Sequence, residues 1–232
     1  GVGGLLGLRR LAGPDIVDTV GRELAETGDA ADLYDIDRIR PWVTSFSRMD
    51  PSPTNAPVVR WRVFFSEPVV HVPLFEGSDG WIISGSAGGT LLGVEAFDDY
   101  CDVLVRPGTA DGTLGITLAA SSSLTDRAGW PMALNAVANI GYQVSHLRLI
   151  RAPSPETVIT AGGRLALEVE AVGGSQPRQY LWNWSPDGVS WRNIPGADQP
   201  RLVLDYVTPS DDGWYLCQVT DPWETVASAP AR

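Results

Sequence analysis

From about Pro41 onward, clusters of Pro, Gly, Asp and Ser recur roughly every 8 to 12 residues, and between them lie short runs rich in Val, Ile, Leu, Trp and Phe. That rhythm leaves no room for helices of ordinary length and predicts a stack of short strands closed into sandwiches. The runs are Trp42 to Arg48, Val58 to Phe65, Gly80 to Ile83, Leu91 to Ala96, Tyr100 to Val105, Leu114 to Leu118 and Tyr142 to Leu149. A second series follows: Arg164 to Ala171, Gln179 to Trp184, Leu202 to Leu204 and Trp214 to Thr220. In Val58 to Phe65 the arginines Arg60 and Arg62 alternate with Trp61 and Val63, so one face is wet and the other packed. Between the series stands Arg151-Ala152-Pro153-Ser154-Pro155, which cannot continue a sheet ladder. The expected organisation is therefore an extension over 1–33, a sandwich over 34–150 and a second over 151–232. Helical periodicity is confined to Pro14 to Thr27, where Ile16, Val17, Val20 and Leu24 share a face, so at most one short helix is predicted.

Composition narrows function by exclusion. The 232 residues carry a net charge of -11, which supplies no basic stripe for a nucleic acid or an anionic membrane. All 17 basic residues are Arg, so Schiff-base, P-loop and lysine-nucleophile chemistry have no residue to run on. No run reaches the roughly 18 apolar residues of a membrane span. The two cysteines, Cys101 and Cys217, fall in different predicted modules and are expected as buried free thiols. With only His71 and His146 to join them, neither a zinc site nor a nucleophilic triad is indicated. Ser84-Gly85-Ser86-Ala87-Gly88 lacks the following helix of a nucleophile elbow, and Gly1 to Gly7 misses the dinucleotide spacing. The chain is read as a non-enzyme, with no organic cofactor.

The acidic residues have a use as oxygen ligands, and calcium is the ion they suit. The candidate ligands are Asp35, Asp37, Asp98, Asp99 and Asp126. The tryptophans crowd the second series; Trp184, Trp191 and Trp223 are the candidates for a binding surface that would stack on a glycan or a protein. The stretch Gly1 to Leu11 is apolar and glycine-rich apart from Arg9 and Arg10, which stand behind Gly1 to Leu8 and so invert the charge order of a signal peptide, and the chain reads as a mature or excised fragment. Val2, Leu5, Leu6 and Leu8 form a candidate assembly segment that would add to a strand edge of a neighbouring copy and propagate a filament.

Tyr34-Asp35-Ile36-Asp37, Pro41-Trp42-Val43-Thr44-Ser45-Phe46, Pro51-Ser52-Pro53-Thr54-Asn55-Ala56, Phe64-Phe65-Ser66-Glu67-Pro68-Val69 and Asp126-Arg127-Ala128-Gly129-Trp130-Pro131 together resemble the bacterial Ig-like modules repeated in large surface and adhesin proteins. The resemblance spans about Tyr34 to Leu149 and departs at Trp130, where those modules usually carry Asn, and at Gly80 to Ser86. The second series resembles an I-set-like immunoglobulin domain of bacterial type. Asp211-x-Gly213-x-Tyr215-x-Cys217 matches the tyrosine corner, Trp182 takes the place of the core tryptophan, and Val169 stands where a first cysteine would be. The resemblance implies a core of Trp182, Val169, Tyr215 and Cys217 without a disulfide. The expectation is an all-β chain of two tandem immunoglobulin-like sandwiches in an extracellular structural or adhesion protein, its partners copies of itself or other surface proteins. The alternatives are a carbohydrate-binding accessory module of a secreted enzyme and a virion decoration protein.

Overall fold

A computed structural model describes residues 4–7, 33–70, 80–119, 124–133 and 140–232. It is an all-β chain of two successive immunoglobulin-like sandwiches. Ahead of them, β1 (Gly4–Gly7) pairs antiparallel with β2 (Leu33–Ile36). The predicted helix over 14–27 lies outside the described residues, as does His71.

The first sandwich is built from β3 (Val43–Arg48), β4 (Val59–Phe65), β5 (Val69–Val70), β6 (Trp81–Ser84), β7 (Gly89–Ala96), β8 (Tyr100–Pro107), β9 (Gly112–Leu118), β10 (Thr125–Asp126) and β11 (Tyr142–Val144). One sheet runs β3-β4-β8-β7 and the other β11-β9-β6, while β5 and β10 pair separately at one end. The alternation read in β4 holds strictly: Val59, Trp61, Val63 and Phe65 are buried and the residues between them are not. With Val103, Val105, Leu114, Ile116 and Tyr142 they form the first core. On the outer face Asp102 is buried because β4 and β8 place it opposite Arg62, whose Nε and Nη2 donate to its two carboxylate oxygens at 2.8 and 2.9 Å. That bidentate bond comes first among the causes that hold the Asp102 carboxyl below its ordinary value.

The second sandwich contains β12 (Arg148–Arg151), β13 (Leu165–Glu168), β14 (Glu170–Val172), β15 (Gln179–Ser185), β16 (Arg192–Asn193), β17 (Arg201–Leu204), β18 (Trp214–Thr220) and β19 (Thr225–Ala227). The sheet β16-β15-β18-β19 faces the pairs β13-β17 and β12-β14 across a core of Leu165, Leu167, Val169, Trp182, Leu202, Tyr215, Cys217 and Val219. Register sets Trp182 directly opposite Cys217. The Tyr215 hydroxyl donates to the Asp211 carbonyl at 2.6 Å, closing the tyrosine corner.

The domain boundary differs from the sequence expectation. The predicted run Tyr142 to Leu149 is two strands: β11 completes the first sandwich, and β12 pairs with β14 in the second. Leu147 already belongs to the second core. The crossing is therefore Ser145-His146, and Pro153 and Pro155 follow the first strand of the second sandwich instead of separating the modules. Proline marks where a ladder ends, but it does not tell which sheet the preceding strand joins.

Candidate functional site: the module junction and an acidic cluster

Seven residues that carried no functional weight in the sequence converge where the sandwiches meet. Asn55 lies in the β3–β4 loop and Asp111 in the β8–β9 turn of the first module. Gly173, Gly174 and Ser175 follow β14, and Asp221 and Glu224 belong to the β18–β19 turn of the second. Asn55 Nδ2 donates to Asp221 Oδ2 at 2.8 Å, and the Ser175 hydroxyl donates to Asn55 Oδ1 at 2.7 Å. The Ser175 amide also donates to Asp221 Oδ2 at 2.8 Å, while Asp221 Oδ1 accepts from the amides of Trp223 and Glu224. Asn55 and Asp221 are both buried. Burial opposes the Asp221 charge, but the Trp223, Glu224, Ser175 and Asn55 donors outweigh it and hold the carboxyl below its ordinary value.

The connecting residues are gripped from both sides. Asp111 accepts from the His146 amide at 2.7 Å and from Arg148 at 2.5 Å, and its carboxyl is lowered, first by the His146 amide bond. Glu224 lies 2.8 Å from His146 Nδ1 and accepts from the Leu147 amide at 2.8 Å. Desolvation works against the Glu224 charge, yet the bonds prevail and its carboxyl too is lowered. The approach is so close that only glycine fits: Gly173 and Gly174 have φ of 70° and 67°, and a Cβ on either would fall on the His146 carbonyl or on Asp221 Oδ2. The sequence hint was the Gly-Gly pair followed by Ser175, which reads equally well as an ordinary turn.

At the opposite end of the first module, Asp37, Glu67 and Asp126 bring carboxylate oxygens within 4.8 Å of one another. Two of these are among the residues expected to bind calcium, and Glu67 is an addition. Asp98 stands outside the cluster: its side chain is 83% exposed and lies 3.5 Å from Arg127. Asp99 is exposed and stands outside the cluster, and the Asp35 side chain lies outside the described features. Desolvation, and then the charges of Asp37 and Asp126, push the Glu67 carboxyl up. Glu67 was missed because its Ser-Glu-Pro setting reads as a solvated turn; β5 pairing with β10 is what brings it beside Asp126.

The three candidate surface tryptophans are not brought together. Trp184 is turned inward against the second core, because it shares the Trp182 face of β15. Trp191 is half-buried beside β16, and Trp223 is 54% exposed in the β18–β19 turn, so the two lie at opposite edges of one sheet. Of the assembly segment, Leu5 and Leu6 lie in β1, which pairs with β2 of the same chain; Val2 and Leu8 lie outside the described residues. A groove of about 410 Å³ between Ile159, Val207, Tyr215 and Arg232 has no histidine or cysteine in its lining. Cys101 and Cys217 are free and buried, and burial pushes their thiols up to about 12 and about 11. No helix among the described residues is long and apolar enough to cross a membrane.

No protein-family model matches the chain, and no curated protein matches its sequence. Solved structures similar to it are tandem immunoglobulin repeats. The titin I-band fragment I67–I69 aligns over 83% of this chain and 64% of its own, at 12% identity and a TM-score of 0.42. DIP-gamma IG1+IG2 aligns over 81% of this chain and 95% of its own, at 12% identity and a TM-score of 0.40. The mouse nectin-like molecule 4 ectodomain aligns over 82% of this chain and 62% of its own, at 12% identity and a TM-score of 0.33.

Proposed function

We propose that the chain is a stiff two-module segment of an extracellular or cell-surface structural or adhesion protein of the bacterial Ig-like type. Its work is to hold two β-sandwich surfaces at a fixed distance and angle, through which other surface proteins are met. The observation that carries this reading is the junction: the modules share a buried hydrogen-bond network centred on Asn55, Ser175 and Asp221, with only Ser145-His146 between the last strand and the second core. A flexible tether would leave such groups to water; here bending would strand buried donors and acceptors, at about 1–3 kcal/mol each.

Small-angle scattering of the full chain and of Asn55→Ala combined with Asp221→Ala tests the mechanical claim. The parent chain should fit one conformer, and the double variant should show a broader distance distribution with both sandwiches still folded by circular dichroism. Equal breadth in the two would remove the argument for a spacer. Location is checked by brief trypsin treatment of intact source cells, which should release arginine-terminated peptides of this chain if it faces outward.

A further inference from the structure

The acidic cluster of the first module contains more than like charges in proximity. Asp126 is only 2% exposed, and one of its oxygens, Oδ1, accepts the Trp130 amide at 2.8 Å. Its other oxygen, Oδ2, is buried with no hydrogen-bond partner, and so is Glu67 Oε1. No ion pair among the described residues involves Asp37, Glu67 or Asp126, although the chain has 17 arginines to spend. Buried carboxylate oxygens that face one another without a donor or a cation are costly, since desolvation and mutual repulsion act in the same direction. A bound cation removes both costs at once.

The donor chemistry selects the ion. All three groups offer hard oxygen, and no thiolate or imidazole is among them, which disfavours zinc and the other softer transition metals. Two ligands at about 2.3 to 2.6 Å from one calcium ion can stand up to about 5 Å apart, which accommodates the 4.8 Å limit of this cluster. Calcium also tolerates an irregular shell completed by water and main-chain carbonyls. The cluster is held in place without the ion: the Trp130 indole donates to the Asp37 carbonyl at 3.0 Å, the Asp126 amide donates to the Trp130 carbonyl at 3.0 Å, and Asp126 pairs with Val69 across β10 and β5. Trp130, where the resembled modules carry Asn, therefore sits at the site and joins two of its ligands.

We propose that Asp37, Glu67 and Asp126 form a calcium site that fastens the segment following β2 to the β4–β5 turn and to β10. The ion would clamp the end of the first sandwich where β5 and β10 form a pairing of two residues each. The inference stands apart from the spacer reading, since the site is at the far end from the junction.

The test uses the full chain, treated with EDTA and freed of it. Terbium is titrated in and its luminescence excited through tryptophan, for which Trp130 is placed; calcium is then added as competitor, and melting is recorded with and without calcium. The expected result is saturable terbium emission displaced by calcium, and a calcium-dependent rise in Tm of about 5 °C or more. Asp126→Asn keeps an oxygen for the Trp130 amide and should weaken terbium binding at least tenfold. Glu67→Gln, at a partly exposed turn, should do the same should the first variant fold poorly. Asp98→Asn should leave binding unchanged. No saturable emission together with no change in Tm at millimolar calcium would overturn the proposal, as would binding that survives in both Asp126→Asn and Glu67→Gln.

Discussion

Both sandwiches do without the disulfide that commonly staples such folds, yet they replace it differently. In the second module the substitute is local: Trp182 donates its indole N–H to the Gln199 carbonyl at 2.9 Å and packs with Val169 and Cys217, and Tyr215 reaches back only to Asp211. In the first module the substitute is a long-range pair. Trp61 of β4 and Tyr142 of β11 meet edge to face, with ring centroids 4.6 Å apart and planes at 83°, across the two sheets. The Tyr142 hydroxyl donates to the Arg60 carbonyl at 2.6 Å and accepts from the amides of Met49 and Asp50, and Trp61 donates to the Ile140 carbonyl at 3.0 Å. Burial pushes both tyrosine hydroxyls, Tyr142 and Tyr215, up to about 12. A core can thus be pinned by contacts spread over several residues or by one aromatic pair between the sheets, and the second way makes one side chain answerable for more main-chain groups.

The largest effects should come from the tryptophans. Trp182→Ala and Trp61→Ala should each cost about 3–5 kcal/mol by chemical denaturation, since each empties a fully buried site. The cost should fall on the module that carries the change, as read by its own tryptophan fluorescence. A loss below 1 kcal/mol in either would show that the two cores are not pinned as described.

The tyrosines sharpen the contrast at a smaller scale. Tyr142→Phe removes the bonds to the Arg60 carbonyl and from the amides of Met49 and Asp50, and although Met49 and Arg60 keep their own main-chain bond at 3.0 Å it should cost about 1–3 kcal/mol, whereas Tyr215→Phe removes the bond to the Asp211 carbonyl alone and should cost about 1 kcal/mol. Equal losses would erase the difference between a local and a long-range pin.

Acid should act on what joins the modules before it acts on either core. Asp111, Asp221 and Glu224 have lowered folded-state values, so their contribution is fully present above the ordinary carboxylate range near 4 and is lost as pH falls through the lowered ones. Scattering curves should therefore be unchanged between pH 7 and 5 and broaden below about 4, and the Asn55→Ala, Asp221→Ala variant should lack most of that dependence. The smallest effect concerns the thiols: neither Cys101 nor Cys217 should react with a thiol reagent at pH 8 until the chain is unfolded, and mass spectrometry without reductant should then find both alkylated.

How much of this was legible depends on how local the signal is. The period-two alternation of β4, the corner spacing from Asp211 to Cys217 and the placement of Trp182 all follow from constraints within a few residues, because side chains alternate along any strand whatever its partner. Sequence also sufficed for the all-β class, for two free buried thiols and for the exclusion of lysine chemistry. Partnership is what it could not supply. Whether Arg148–Arg151 belongs before or after the boundary, whether Trp184 faces a ligand or a core, and whether Glu67 stands beside Asp126 are decided by which strands pair. The same holds for the junction, where Asn55, Ser175 and Asp221 are ordinary turn residues until two separately folded sandwiches bring them together. A strand's own sequence fixes which of its faces is apolar; only the tertiary structure decides what that face, and each turn at its ends, will meet, because those contacts are made by residues distant in the chain.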